Sequence, residues 1–126
     1  MSSKLHKFLF DGLPVRGILV QLTDVWQEIL KRRHAAGAYP SEVACLLGEM
    51  SAAGALLQSN IKFNGTLILQ IFGDGPLKLA VTEVQADLSL RSTATISGTV
   101  EPGLSLSQLV NANNRGRCAI TLDPKN

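Results

Sequence analysis

Charge is scarce in this 126-residue chain, where Asp, Glu, Lys and Arg together make up 17% and the formal net charge is only +2. A typical soluble domain carries about 25% charged residues. The weak positive balance argues against a dedicated nucleic-acid surface, which gathers Lys and Arg on one face. Aromatics reach only 5%, and apart from Trp26 and Tyr39 they are four phenylalanines in strand-like segments. Stacking platforms for exposed bases need more than that. Two cysteines, Cys45 and Cys118, stand far apart with no CxC or CxxC pair. Each interrupts an apolar pattern, so both are expected to be buried free thiols. The two histidines, His6 and His34, lie far from any evident nucleophile. No apolar run is long enough to cross a bilayer; the richest, Val43 to Leu57, contains Glu49. The opening Met1 to Leu13 mixes Lys4, His6, Lys7 and Asp11 into its apolar residues and lacks a signal-peptide core. A cytoplasmic, soluble protein without membrane contact is expected.

What the chain has in plenty is apolar residues, at 45%. Leu5 to Phe10 and Val15 to Leu22 are expected to form two strands joined by the Asp11–Pro14 turn. A helix over about 23–34 follows from Val25, Trp26, Ile29 and Leu30 on one face. Asp24 with Gln27 fits an acidic capping box, and Lys31-Arg32-Arg33-His34 suits the C-terminal end. A second helix over about 41–59 carries a large apolar stripe: Val43, Leu46, Leu47, Met50, Gly54 and Leu57. Beside it runs a small-residue stripe of Ala44, Gly48, Ala52, Ala55 and Ser59, which would let another element approach closely.

After Asn60 the period drops to two. Asn64-Gly65 reads as a turn or bulge. Leu67, Leu69 and Ile71 alternate, Gly73-Asp74-Gly75-Pro76 turns the chain, and Leu77, Leu79 and Val81 alternate in turn, predicting a hairpin. Leu88 to Val100 reads as a further strand, Pro102 to Leu109 as a turn with one helical turn, and Cys118, Ile120 and Leu122 as a last strand. Strands, two consecutive helices, then strands predict a single α+β domain over residues 1–126 with a mostly antiparallel sheet. The stop at Asp123-Pro124-Lys125-Asn126, directly after a strand, reads as a boundary inside a larger protein.

No catalytic, cofactor-binding or metal-binding residue emerges, and the chain is expected not to be an enzyme. His34 is read as a solvated cation at a helix end, and His6 as a surface residue on a strand. Gly73-Asp74-Gly75-Pro76 leads into a strand and carries an acid, whereas a phosphate cradle opens onto a helix. Glu42 and Glu49 lie two helical turns apart and do not make an acid/base pair. Arg115-Gly116-Arg117 beside Asn113-Asn114 reads as a solvated basic turn. A Cys–His dyad using Cys45 or Cys118 would need a neighbour that sequence does not supply.

Stretches along nearly the whole chain resemble the start of the redox-regulated 33-kilodalton heat-shock chaperones of bacteria. They are Leu5-His6-Lys7-Phe8-Leu9-Phe10, Val15-Arg16-Gly17, Leu46-Leu47-Gly48-Glu49, Leu56, Lys62-Phe63-Asn64-Gly65, Leu69-Gln70, Gly73-Asp74-Gly75-Pro76-Leu77 and Leu79-Ala80-Val81. The resemblance covers the N-terminal part of the family's substrate-binding core. It implies an ATP-independent holdase of the stress response that binds unfolding client proteins and forms a homodimer, possible with exchanged segments. It also implies a linker and a zinc module with CxC and CxxC thiolates that lose zinc and form disulfides on oxidation. Neither thiolate pair is present here, so no zinc or redox role passes to Cys45 or Cys118. The Lys31–Gly37 connector is longer and more basic than the family's. The competing reading is a structural or dimerisation domain without client binding of its own. The sequence does not single out client-contact residues; the apolar surface left without the family's cover is expected on the two amphipathic helices and on a sheet face built from residues such as Leu67, Leu69, Ile71, Leu77 and Leu79.

Overall fold

A computed structural model describes residues 2–125. The order is β1 (Lys4–Leu9), β2 (Arg16–Gln21), α1 (Thr23–His34), α2 (Ser41–Asn60), β3 (Gly65–Phe72), β4 (Leu77–Val84), β5 (Leu90–Ile96), α3 (Leu106–Val110) and β6 (Arg117–Pro124). The α+β expectation holds, with two antiparallel sheets. One is the β1–β2 hairpin, and the other has the order β5-β4-β3-β6. In the larger sheet three strands meander and the fourth returns beside the first, a Greek-key arrangement. The return passes through α3, leaving β5 and β6 at the two edges.

The core lies between α2 and one face of this sheet. Val43, Leu46, Leu47 and Met50 of α2 meet Leu67, Leu69, Leu77 and Ala80, and α3 closes one end with Leu109 and Val110. The large apolar stripe read for α2 is buried except for Leu57, which is exposed. The small-residue stripe receives α1: a Cβ on Gly48 would stand 3.4 Å from the Trp26 ring. That contact is loose. No residue of α1 is buried, so its apolar stripe is half-covered at most.

Several local expectations are corrected. Asp24 does not cap α1: the residue before the helix is Leu22, with no side-chain cap. The Asp24 carboxylate instead accepts from the backbone and hydroxyl of Ser3, tying the start of the chain to α1. A real capping box occurs at α3, where Ser105 accepts from the Gln108 N–H and the Gln108 side chain accepts from the Ser105 N–H. Its signal, Ser105-Leu106-Ser107-Gln108, stands in the sequence. Asn64-Gly65 is no turn. Gly65 is buried at the start of β3, where a Cβ would collide with the Asp123 carbonyl and the Phe63 ring.

The alternation Leu77, Leu79, Val81 breaks at a bulge between Leu77 and Leu79. The extra residue inverts the facing of the rest of the strand. Leu77, Ala80, Thr82 and Val84 therefore point into the core, while Leu79 and Val81 are only half-buried. The strand expected over 88–100 shortens to β5. Leu88 at φ 69° and Gly98 at φ 82° leave the extended region on either side of it.

Two polar groups pin helix to sheet. The Ser51 and Thr82 hydroxyls both meet Ser92 Oγ, at 2.6 and 2.8 Å, and Ser51 also donates to the Leu47 carbonyl. Gln58, 3% exposed, donates Nε2 to the carbonyls of Gly65 (3.1 Å) and Val84 (3.0 Å). Gln58→Ala strands both carbonyls in a dry interior, and each unsatisfied buried group costs about 1–3 kcal/mol. Urea unfolding should therefore show a loss of about 2–4 kcal/mol with an unchanged m-value. A loss below about 1 kcal/mol would mean that the two carbonyls find other partners.

Candidate protein-binding surface

The sheet face expected to meet clients is not available. Leu67, Leu69 and Leu77 are buried beneath α2, and Ile71 and Leu79 are half-buried. Burying them is what folds the domain, so the same surface cannot also be offered to a partner. The exposed apolar side chains gather elsewhere, most densely on the β1–β2 hairpin, with Ile120 and Leu122 on β6 and single residues such as Leu30, Leu57 and Leu106 on the helices.

The hairpin is antiparallel, with Phe8 opposite Gly17, His6 opposite Leu19 and Leu5 opposite Val20. Alternation splits it into two faces. Leu5, Ile18 and Val20 are half-buried, and Lys7 on this face donates Nζ to the Ser59 carbonyl at the end of α2 (2.6 Å). The other face carries Phe8, Phe10, Val15 and Leu19, all exposed, with Leu19 at 62%. Phe8 lies across Gly17, where a Cβ would overlap the ring, and its centroid stands 5.9 Å from that of Phe10. Leu9 and Leu13 extend the apolar surface to the tip. Only Lys4, His6 and Gln21 dilute it on the β1–β2 strands. A continuous exposed aromatic and aliphatic face of this kind marks a protein-interaction site in soluble domains. It was legible in part: the run ends in Phe8-Leu9-Phe10, three consecutive large apolar residues, where a half-buried strand would alternate.

Both thiols are exposed, contrary to expectation. Cys45 lies on the rim of α2 in a shallow groove with Glu42, Leu46 and Leu106. Cys118 lies on edge strand β6, beside Ile71 of β3. Cys118 is open because α2 spans only the middle of the sheet, and Cys45 because it stands beside the Val43, Leu46, Leu47 and Met50 stripe that α2 buries. Among the described residues, no three His, Cys, Asp or Glu side chains gather as metal ligands. The residues present therefore do not fit the zinc site that the resemblance implies for the family, and none is assigned to it. His6 and His34 are both exposed and lie on separate elements.

A cleft of about 830 Å³ runs between α1 and β5. Its charged groups are already engaged. Glu28 pairs with Arg32 at 2.9 Å, Arg91 pairs with Glu83 at 2.7 Å, and Arg33 lies over the Tyr39 ring at 4.2 Å. The Arg32 hydrogen bond holds the Glu28 carboxyl below its usual range. No set of free polar groups converges there as a small-molecule site would require.

Gly73-Asp74-Gly75-Pro76 is a clamp. Asp74 Oδ2 accepts from the backbone N–H groups of Asn113 (3.0 Å) and Arg115 (2.8 Å), and the Asp74 N–H donates to the Val110 carbonyl. The basic turn 113–117 is exposed over most of its length, as expected, but its backbone is held from below. Gly73 and Gly75 give the close approach: a Cβ on either would strike backbone carbonyls, of Leu77 and Leu109 respectively.

No helix is long and apolar enough to cross a membrane. The family model described as Hsp33 protein matches residues 3–126. Among curated relatives, the 33 kDa chaperonin of Chromobacterium violaceum is 48% identical over 122 residues, covering 97% of this chain and 39% of the relative. That of Neisseria gonorrhoeae is 44% identical, covering 94% and 38%. That of Methylobacillus flagellatus is 43% identical, covering 99% and 40%. The chain thus spans about two fifths of the length of these relatives. With a family model matched across all but its first two residues and an apolar surface open for a partner, this chain belongs to the Hsp33 protein family.

Proposed function

We propose that this chain is the part of a cytoplasmic holdase chaperone that holds unfolding polypeptides against the outer face of its β1–β2 hairpin, without ATP and without turning over a substrate. The supporting observation is the exposed row of Phe8, Phe10, Val15 and Leu19 in a chain whose curated relatives are named 33 kDa chaperonin. Capture by such a face is non-directional, since apolar contact gains roughly 25 cal/mol per Å² buried whatever the client sequence. The neighbouring Lys4, exposed on the same face, would attract acidic client segments at long range. In a longer protein of this family, oxidation and zinc release would regulate access to such surface. This chain holds no paired thiolates to do so, and its own activity is independent of oxidant.

The test is light scattering from a thermally unfolding client protein, with the chain treated beforehand with peroxide or with reductant. Equal suppression in both states is expected. Phe8→Ser/Phe10→Ser should reduce suppression at least severalfold while lowering thermal stability only modestly, because both residues stand about half in solvent, outside the α2–sheet core. A strong requirement for peroxide would make Cys45 or Cys118 a switch. Absence of suppression in both states would leave the second reading, a dimerisation domain, which the open edge of β6 favours.

A further inference from the structure

We infer that the cleft between α1 and β5 is a strand-addition groove, which takes an extended peptide segment antiparallel to β5 as a fifth strand of the sheet. One wall of the cleft is formed by every residue from Leu88 to Thr93 in turn. A sheet face would contribute only every second residue, so the cleft runs along the edge of β5 and meets its backbone. The other wall is one face of α1, with Asp24, Val25, Glu28, Ile29, Arg32 and Arg33 at helical spacing. Both walls belong to elements within the described chain. A peptide that adds to such an edge is held by main-chain hydrogen bonds and selected by its alternate side chains.

The hydrogen-bond phase shows which groups of β5 are free. The Gln85 N–H donates to the Ser89 carbonyl (2.8 Å), so Ser89, and with it Arg91 and Thr93, turns its backbone toward β4. Leu90, Ser92 and Ala94 then turn theirs outward, into the cleft. Among the described residues one group of this row has a partner: the Ala94 N–H donates to the Tyr39 hydroxyl at 3.1 Å, which closes that end of the groove. Ser92 is only 7% exposed, and an unpaired backbone N–H and C=O at that depth call for a partner. The side chains of Leu90, Ser92 and Ala94 lie on the core side of the sheet, where the Ser92 hydroxyl meets Ser51. Residues of an added antiparallel strand opposite them face α1, where the half-buried Val25 and Ile29 would be covered. Charge sets the remaining preference. Asp24 is held by Ser3 and Glu28 by Arg32, whereas Arg33, stacked on Tyr39, pairs with no carboxylate among the described residues. The occupant is thus a segment with apolar residues at alternate positions and a carboxylate in the same row at its N-terminal end, beside Arg33. This inference does not depend on client capture by the hairpin.

The test is fluorescence anisotropy of the peptide Asp-Thr-Val-Thr-Val-Thr, acetylated and carrying fluorescein at its C-terminal end, titrated with the 126-residue chain. Saturable binding is expected. Methylating the two valine amide nitrogens removes donors to β5 and should weaken binding at least tenfold. Methylating the nitrogens of the first two threonines, which face away from β5, should change it less than threefold. Arg33→Glu should weaken binding at least threefold, and a peptide with Lys in place of Asp should restore it in that variant. Circular dichroism should show the variant folded, since no residue of α1 is buried. Capture by the apolar hairpin face is indifferent to which amides carry a methyl group, so the two readings can fail separately. No saturable binding, equal or reversed sensitivity to the two methylation patterns, or no rescue by charge reversal would each overturn the inference. A dimer of the chain that the peptide dissociates, seen in sedimentation, would make a second copy the occupant and overturn the one assigned.

Discussion

Gly54→Leu is expected to cost more than about 3 kcal/mol, the upper end of ordinary overpacking. Gly54 is buried at the crossing of α2 and β4, where a Cβ alone would stand 2.9 Å from Val84 Cγ2 and 3.3 Å from Thr82 Cγ2. Both neighbours are fully buried, and Thr82 is held by Ser92, so neither can turn away. A leucine adds three further carbons where no space exists, and α2 must lift from the sheet along the whole core. The melting temperature should fall by roughly 10–15 °C for a domain of this size. Gly54→Ala should be far milder. Its Cβ crowds two methyl groups, of Val84 and Thr82, and alanine offsets part of that cost, because glycine in a helix interior costs about 1 kcal/mol relative to alanine. Gly48→Ala, whose Cβ would make an ordinary 3.4 Å contact with Trp26, should be neutral or stabilising. Calorimetry on the three variants decides the point. A Gly54→Leu protein within 1 kcal/mol of the parent would mean that the helix and sheet are not packed as described.

Asp74→Ala should be the most damaging change among the turns, at about 2–4 kcal/mol, since hydrogen bonds to a charged group contribute about 1.5–3 kcal/mol each. One carboxylate oxygen satisfies two backbone N–H groups, those of Asn113 and Arg115, at the point where the chain leaves α3 and turns into β6. Without it the turn loses its anchor. Two side-chain ties remain in that turn, the Gly116 N–H to Asn111 Oδ1 and Asn113 Nδ2 to the Asp74 carbonyl. The effect should be local before it is global. Hydrogen exchange should accelerate first from Val110 to Cys118, with β3 and β4 protected until the whole domain opens. Asp74→Asn keeps an acceptor oxygen of the same shape without the charge, and should lose about half as much. Uniform acceleration across the sheet, or no difference between Asp74→Ala and Asp74→Asn, would contradict the clamp.

The two helices, the order of the strands and the β3–β4 hairpin were legible because each rests on local periodicity. Val43, Leu46, Leu47 and Met50 recur at helical spacing, and Leu67, Leu69 and Ile71 alternate. The ends and the phases were less legible. The bulge after Leu77 has no glycine signal of its own, yet it inverts the facing of Leu79 and Val81. Asp24 carried the signature of a helix cap, but Ser3, twenty-one residues away, takes its carboxylate.

By itself, then, the sequence determined the secondary elements, the α+β class and the family resemblance, since all three are properties of local pattern and residue order. Which apolar residues remain for partners was decided only by tertiary structure. Leu67 and Ile120 read alike as alternating strand residues and lie on the same face of adjacent strands. α2 covers the first, at 2% exposure, and stops short of the second. A helix is narrower than a four-stranded sheet, so the strands beneath it are buried and the strand beyond it is open. The same holds for Cys45 and Cys118, which interrupt apolar patterns yet lie at the rim of a core they were expected to join. Periodicity states that a residue has an apolar side; only the placement of the neighbouring element decides whether anything lies against it.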